Sequence, residues 1–114
     1  MKIAEIINII NGKVTCGHDL LETEITHAFS SDLLSDVLTI NKTGILLITG
    51  VVNIQTIRTA EMAEISCILL VRNKKASHEM VELAKDNGLV IVESPVSMFC
   101  ASGKLYQCGI QPLY

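Results

Sequence analysis

Residues 45–71 read ILLITGVVNIQTIRTAEMAEISCILLV: two apolar runs, Ile45-Leu46-Leu47-Ile48 and Cys67-Ile68-Leu69-Leu70-Val71, separated by a segment of a different period. Continuous apolar runs of this length suit strands buried on both faces, as in a parallel sheet; a strand with one wet face would alternate. Between the runs, residues 53–64 place Ile54, Ile57, Ala60 and Ala63 at helical spacing, with Asn53 positioned as an N-cap. A third run, Leu89-Val90-Ile91-Val92, follows a second helical segment over residues 77–87, where Met80, Leu83 and Ala84 share one side and Gly88 stands just past the end. Strand, helix, strand, helix, strand predicts right-handed crossovers in a layered α/β domain, with a mainly parallel central sheet and helices on both faces.

Toward the N-terminus, Ile3, Ile6, Ile7 and Ile10 fall at i, i+3, i+4 and i+7, a helix for which Gly12 is the stop. Residues 13–16 read as a short strand, residues 17–21 as a turn, and residues 24–29 as an alternating strand. Ser30, Ser31 or Asp32 then caps a short helix carrying Leu33, Leu34, Val37 and Leu38. Beyond Ser94-Pro95, a last helix is expected to about Cys100, with irregular chain around Gly103. No repeat or linker divides residues 1–114, so one domain is expected.

Composition narrows the function classes. The 37 Ile, Leu and Val among 114 residues are ample for a core. Apolar runs fall short of the ~18 residues a membrane span needs, and Glu5 and Asn8 interrupt the N-terminal apolar stretch, so a cytoplasmic location without membrane contact is expected. A net charge of −3, only two Arg and 4% aromatics argue against nucleic acid, which demands basic surface and stacking rings. The cysteines Cys16, Cys67, Cys100 and Cys108 form no C-x2-C pair and read as reduced thiols; Cys16-Gly17-His18 alone does not make a metal site. No metal and no cofactor are expected.

Open parallel sheets take ligands beyond the carboxyl ends of their strands, where helix N-termini carry partial positive charge. The residues there, Thr49, Gly50, Asn53, Thr56, Arg72 and Ser94, are the candidate ligand-binding set, suited to a phosphate-bearing metabolite or nucleotide. Lys74 and Lys75 add charge but also read as plain solvated turn residues. Gly50 lacks the companion glycines of a phosphate loop or dinucleotide fingerprint. Asp32 and Asp36, four apart, could share a metal or act as acid and base; the plainer reading makes Asp32 a cap and leaves Asp36 in solvent. His27 could titrate near neutrality but has no identifiable Ser, Cys or carboxylate partner, so no catalytic residues can be named and an enzyme is not expected.

The phrases SDLLSDVL, ITG-x2-N-x-Q-x-IRTAEM and the late G-x-LY, within residues 24 to 110, resemble stand-alone members of the DRTGG domain family. That family is similar in fold to the N-terminal domain of HPr kinase/phosphorylase and of muramoyl-peptide ligases. The resemblance implies a regulatory or dimer-forming module with no catalytic role. It also implies an Asp-Arg pair after Gly50, where Val51-Val52 stand, and Thr-Gly-Gly where Val71-Arg72-Asn73 stand; neither motif is present. Two functions compete. One is a self-associating interaction module, a homodimer or a partner of a signalling or metabolic enzyme; the other is a sensor of a phosphate-bearing ligand at the strand ends. The high apolar content of so short a chain favours the first, because leftover apolar surface marks interfaces.

Overall fold

The computed structural model describes residues 1–37 and 42–114. The strands are β1 (Lys13–Cys16), β2 (His27–Ser30), β3 (Ile45–Thr49), β4 (Cys67–Leu70), β5 (Val90–Glu93) and β6 (Gln111–Pro112). The helices are α1 (Ile3–Ile9), α2 (Leu34–Val37), α3 (Ile54–Met62), α4 (His78–Asp86) and α5 (Met98–Gln107), with a 3-10 turn at His18–Leu20. All six strands join one sheet in the order β1-β5-β4-β3-β2-β6. The pairs from β5 through β6 are parallel and β1 alone runs antiparallel, against β5.

The three apolar runs are the three central strands, β3, β4 and β5, and every residue of each is buried. Alternation sends their side chains to opposite layers. Leu46, Ile48, Cys67, Leu69, Val90 and Val92 pack with Ile3, Ile6 and Ile10 of α1 and with Ala101 and Leu105 of α5. Ile45, Leu47, Ile68, Leu70 and Ile91 pack with Val37 of α2, Ile57 and Ala60 of α3, and Met80 and Ala84 of α4. Each fully buried Ile or Leu is worth roughly 1.5–3 kcal/mol over its exposed state. This double burial is the reason the runs are continuous.

The helix ends follow local chemistry. The Asn53, Ser77 and Ser97 side chains cap α3, α4 and α5 by accepting from the N–H groups of Thr56, Met80 and Cys100. Gly12 is required by packing as much as by turning: a Cβ there would lie 2.6 Å from Val92 Cγ1, while Asn11 takes the left-handed conformation at φ 53°.

Several expectations need correction. The strand read over residues 24–29 begins at His27, because Ile25 N–H donates to Met1 O and Glu24 makes only an isolated bridge with Lys2. Helix α5 does not stop near Cys100: it continues through Gly103, whose missing side chain faces open space, so the glycine breaks no contact. The two-residue β6 is too short to leave a periodic signal in the sequence. Among the described residues helix α2 covers one turn, Leu34–Val37, and Leu38, read as part of it, lies outside them.

Candidate functional site

The strand ends bring the expected residues to one edge of the sheet, but most of their polar groups are already engaged. Thr49 is fully buried; its Oγ1 donates to Asp32 Oδ1 at 3.0 Å and accepts from Val51 N–H at 3.2 Å. Gly50 N–H donates to the same Asp32 oxygen at 2.8 Å. Thr56, also fully buried, donates its hydroxyl to Val51 O at 3.0 Å, and Asn53 Oδ1 accepts from Thr56 N–H at 3.2 Å. Ser94 donates to Ile10 O at 2.6 Å and accepts from Val96 N–H at 3.3 Å, closing the end of α1 against β5. Glu93, 7% exposed, accepts from Ala76 N–H at 2.8 Å and pairs with Lys75 at 3.7 Å, which holds the loop after β4.

Asp32 is therefore not a helix cap. Its carboxylate clasps the turn after β3, and the Ser31 hydroxyl instead accepts from Leu33 N–H at 2.9 Å. Sequence offered no signal for this, since an Asp before a short helix looks the same whichever backbone N–H it accepts from.

Arg72 is the exception among the candidates. Among the described residues its guanidinium makes no ion pair, and it lies over Gly50: a Cβ there would be 3.4 Å from Arg72 Nη2 and 3.7 Å from Asp32 Oδ1. The backbone of Arg72 and Asn73 is left-handed, at φ 57° and 61°, pinned by Arg72 N–H to Val96 O at 2.7 Å and Asn73 N–H to Ser94 O at 3.0 Å. These are the two positions where the family resemblance implies consecutive glycines. The glycine-type conformation persists without them, at a cost of roughly 1 kcal/mol or more for a residue such as Arg.

A second surface stands out around α5. The four aromatic residues of the chain are Phe29, Phe99, Tyr106 and Tyr114. Tyr114 packs edge-on against Phe29 with ring centres 5.9 Å apart, and both rings and Tyr106 border a cleft of about 280 Å³ between α5, β2 and the C-terminal segment. Phe99 and Tyr106, two turns apart on α5, are 90% and 67% exposed. Gly103 lies between them on the same face, and Lys104 is the helix's only charge.

The thiols divide by burial. Burial pushes the Cys67 thiol far above its ordinary range and also raises that of Cys16, whereas Cys100 is half-buried and Cys108 exposed. His27 Nδ1 lies 2.8 Å from the neighbouring Thr26 Oγ1. Among the described residues no group of three His, Cys, Asp or Glu could hold a metal ion, and no helix is long and apolar enough to cross a membrane.

The DRTGG domain profile matches residues 5–108, from the first turn of α1 to the end of α5. The chain belongs to the DRTGG domain family. The DRTGG fold here resembles the CBS and DRTGG domains of the regulatory region of Clostridium perfringens pyrophosphatase, a structure determined in complex with its activator diadenosine tetraphosphate. The TM-score is 0.76 at 16% identity, and the match covers 93% of this chain and 46% of that one, so this DRTGG chain spans less than half the length of that regulatory region. The likeness is one of fold. Comparison with curated proteins gives no match.

Proposed function

We propose that this DRTGG domain is a non-catalytic regulatory module that works as a homodimer, with helix α5 of one copy packed across α5 of the other. The observation that carries this reading is the segregation of the aromatic residues: the four rings of a 114-residue chain gather around α5 and the C-terminus, and three are mostly exposed. Aromatic side chains with few charges around them mark interface centres. Three rings of this exposure present on the order of 450 Å² per copy, over half of the ~800 Å² per partner of a standard interface. A two-fold axis near Gly103 would set Phe99 of each copy beside Tyr106 of the other, and the absent side chain would let the helices approach closely. A signalling or metabolic enzyme is the target such a dimer would regulate. Sedimentation equilibrium tests the proposal: the native chain should weigh twice 12.4 kDa, and Phe99→Glu should weigh 12.4 kDa with an unchanged circular dichroism spectrum. A native monomer at every concentration contradicts it.

The second reading, a phosphate-bearing ligand at the strand ends, is favoured by one observation, the Arg72 guanidinium over Gly50, which makes no ion pair among the described residues. It ranks lower because the Asp32 carboxylate stands beside the same point and would repel an anion. Thermal shift with nucleotides and inorganic phosphate decides it: stabilisation lost in Arg72→Ala supports the site, and no shift in the native protein removes it.

A further inference from the structure

Beside the exposed face of α5 lies the cleft of about 280 Å³ bordered by Phe29, Tyr106 and Tyr114. It opens where the sheet runs out: β6 pairs with β2 only at His27 and Ala28, so among the described residues no strand lies against that edge at Phe29 and Ser30. Leu105, Ile110 and Leu113 line the cleft, and no charged side chain does. Its two hydroxyls are already engaged. Ser102 donates to Met98 O at 2.7 Å, which leaves Ser30 as the donor in its 2.7 Å contact with Ser102. Such a space takes an uncharged apolar group. At about 280 Å³ it falls below the ~300–1,000 Å³ of pockets that hold drug-sized ligands, which suits a single side chain.

The proposed dimer brings such a side chain to the cleft. Phe99, 90% exposed, is the most exposed large apolar residue among the described ones. Three exposed rings account for on the order of 450 Å² of the ~800 Å² that each partner of a standard interface buries, so a stable dimer must draw further apolar surface from beside α5. The spacing i, i+3, i+7 sets Ser102 on one flank of the line from Phe99 to Tyr106, and i, i+4, i+7 sets Gly103 on the other. The cleft opens on the Ser102 flank, since Ser102, Leu105 and Tyr106 line it and Gly103 does not. A two-fold axis across antiparallel helices reverses height along the helix and keeps each side chain on its own flank. Phe99 of one copy thus arrives level with Tyr106 of the other, on the flank where the cleft opens. From this arrangement we infer that the cleft is the seat of Phe99 from a second copy of the chain, so that each dimer carries two reciprocal aromatic anchors, each ring enclosed by Phe29, Tyr106 and Tyr114 of the opposite copy. Anchors of this kind, seated in apolar pockets, carry most of the energy of an interface. The inference rests on the dimer reading above and adds which surface beyond α5 the second copy uses.

The test mixes 13C-labelled with unlabelled chain, records isotope-filtered NOEs on the mixed dimer and weighs the same sample by sedimentation equilibrium. NOEs from the Phe99 ring of one copy to the Ile110 and Leu113 methyls of the other are expected. Phe99→Ala should raise the dimer dissociation constant at least about a hundredfold, because each dimer loses two anchors. A dimer without those NOEs, or one that Phe99→Ala leaves as tight as the native, would overturn the seat while leaving the dimer standing. A native chain that sediments as a monomer at every concentration would overturn both.

Discussion

The carboxyl ends of the parallel strands and the outward face of α5 differ in what they leave unsatisfied. At the strand ends nearly every polar side chain is engaged with another part of the chain: Thr49 and Gly50 with Asp32, Thr56 with Val51, Ser94 with Ile10. On α5, Phe99 and Tyr106 touch little and face solvent. A cluster of polar residues in a fold's customary ligand position can thus be a structural clasp, and a helix face without chemistry can be the part that acts on the outside world. Residue type suggests what a group could do, whereas partner count decides whether it is free to do it.

That contrast is sharpened most by removing the clasp. Asp32→Ala takes the acceptor from the buried Thr49 hydroxyl and from Gly50 N–H, and should lower unfolding stability by about 2 kcal/mol in urea titration. Tyr106→Ala, with no such partners to orphan, should leave the stability of the monomeric fold within ~0.5 kcal/mol while weakening association. Equal losses from the two substitutions would break the comparison.

The thiols give a second contrast. The Cys67 pKa is raised above the ordinary 9.0 by burial, so the folded thiol stays neutral while the unfolded one ionises. Its contribution is complete below pH 9.0 and declines above it, by about 1.4 kcal/mol per pH unit, readable as a falling denaturation midpoint on the alkaline side. Near neutrality a thiol reagent should modify Cys100 and Cys108 in the native protein, and Cys16 and Cys67 only on unfolding.

The smallest effect concerns the left-handed pair. Arg72→Gly relieves a positive φ that Arg tolerates poorly, offset by the greater freedom of the unfolded chain, and should stabilise by ~0.5 kcal/mol. A destabilised variant would mean that the guanidinium over Gly50 holds the loop.

Much of this fold was legible because its physics is local or periodic. Runs such as Ile45 to Ile48 announce burial on both faces, and Asn53 and Ser77 mark helix starts by their own hydrogen bonds. The order of the strands, the reversed direction of β1 and the late pairing of β6 depend on contacts between distant residues and leave no short-range trace. The site was legible only as a place. Thr49, Gly50 and Arg72 do meet there, but the decisive partner, Asp32, reaches them from 17 and 18 residues away along the chain, and an Asp ahead of Leu33-Leu34 gives no hint of where its carboxylate will turn. Exposure on α5 was equally hidden: the segment PVSMFCASGKLYQCGI contains apolar residues on both sides, and only the packed fold separates buried Ala101 and Leu105 from exposed Phe99 and Tyr106.

Cross-linking through α5 tests the dimer most directly. In a chain with Cys100 and Cys108 replaced by Ser, Gly103→Cys should form a disulfide-linked pair under mild oxidation, because the proposed two-fold axis would bring residue 103 of each copy together. The account predicts a band at twice the chain mass on a non-reducing gel that disappears when Phe99→Glu is added; a chain that stays monomeric under oxidation, with its new thiol still free, would contradict it.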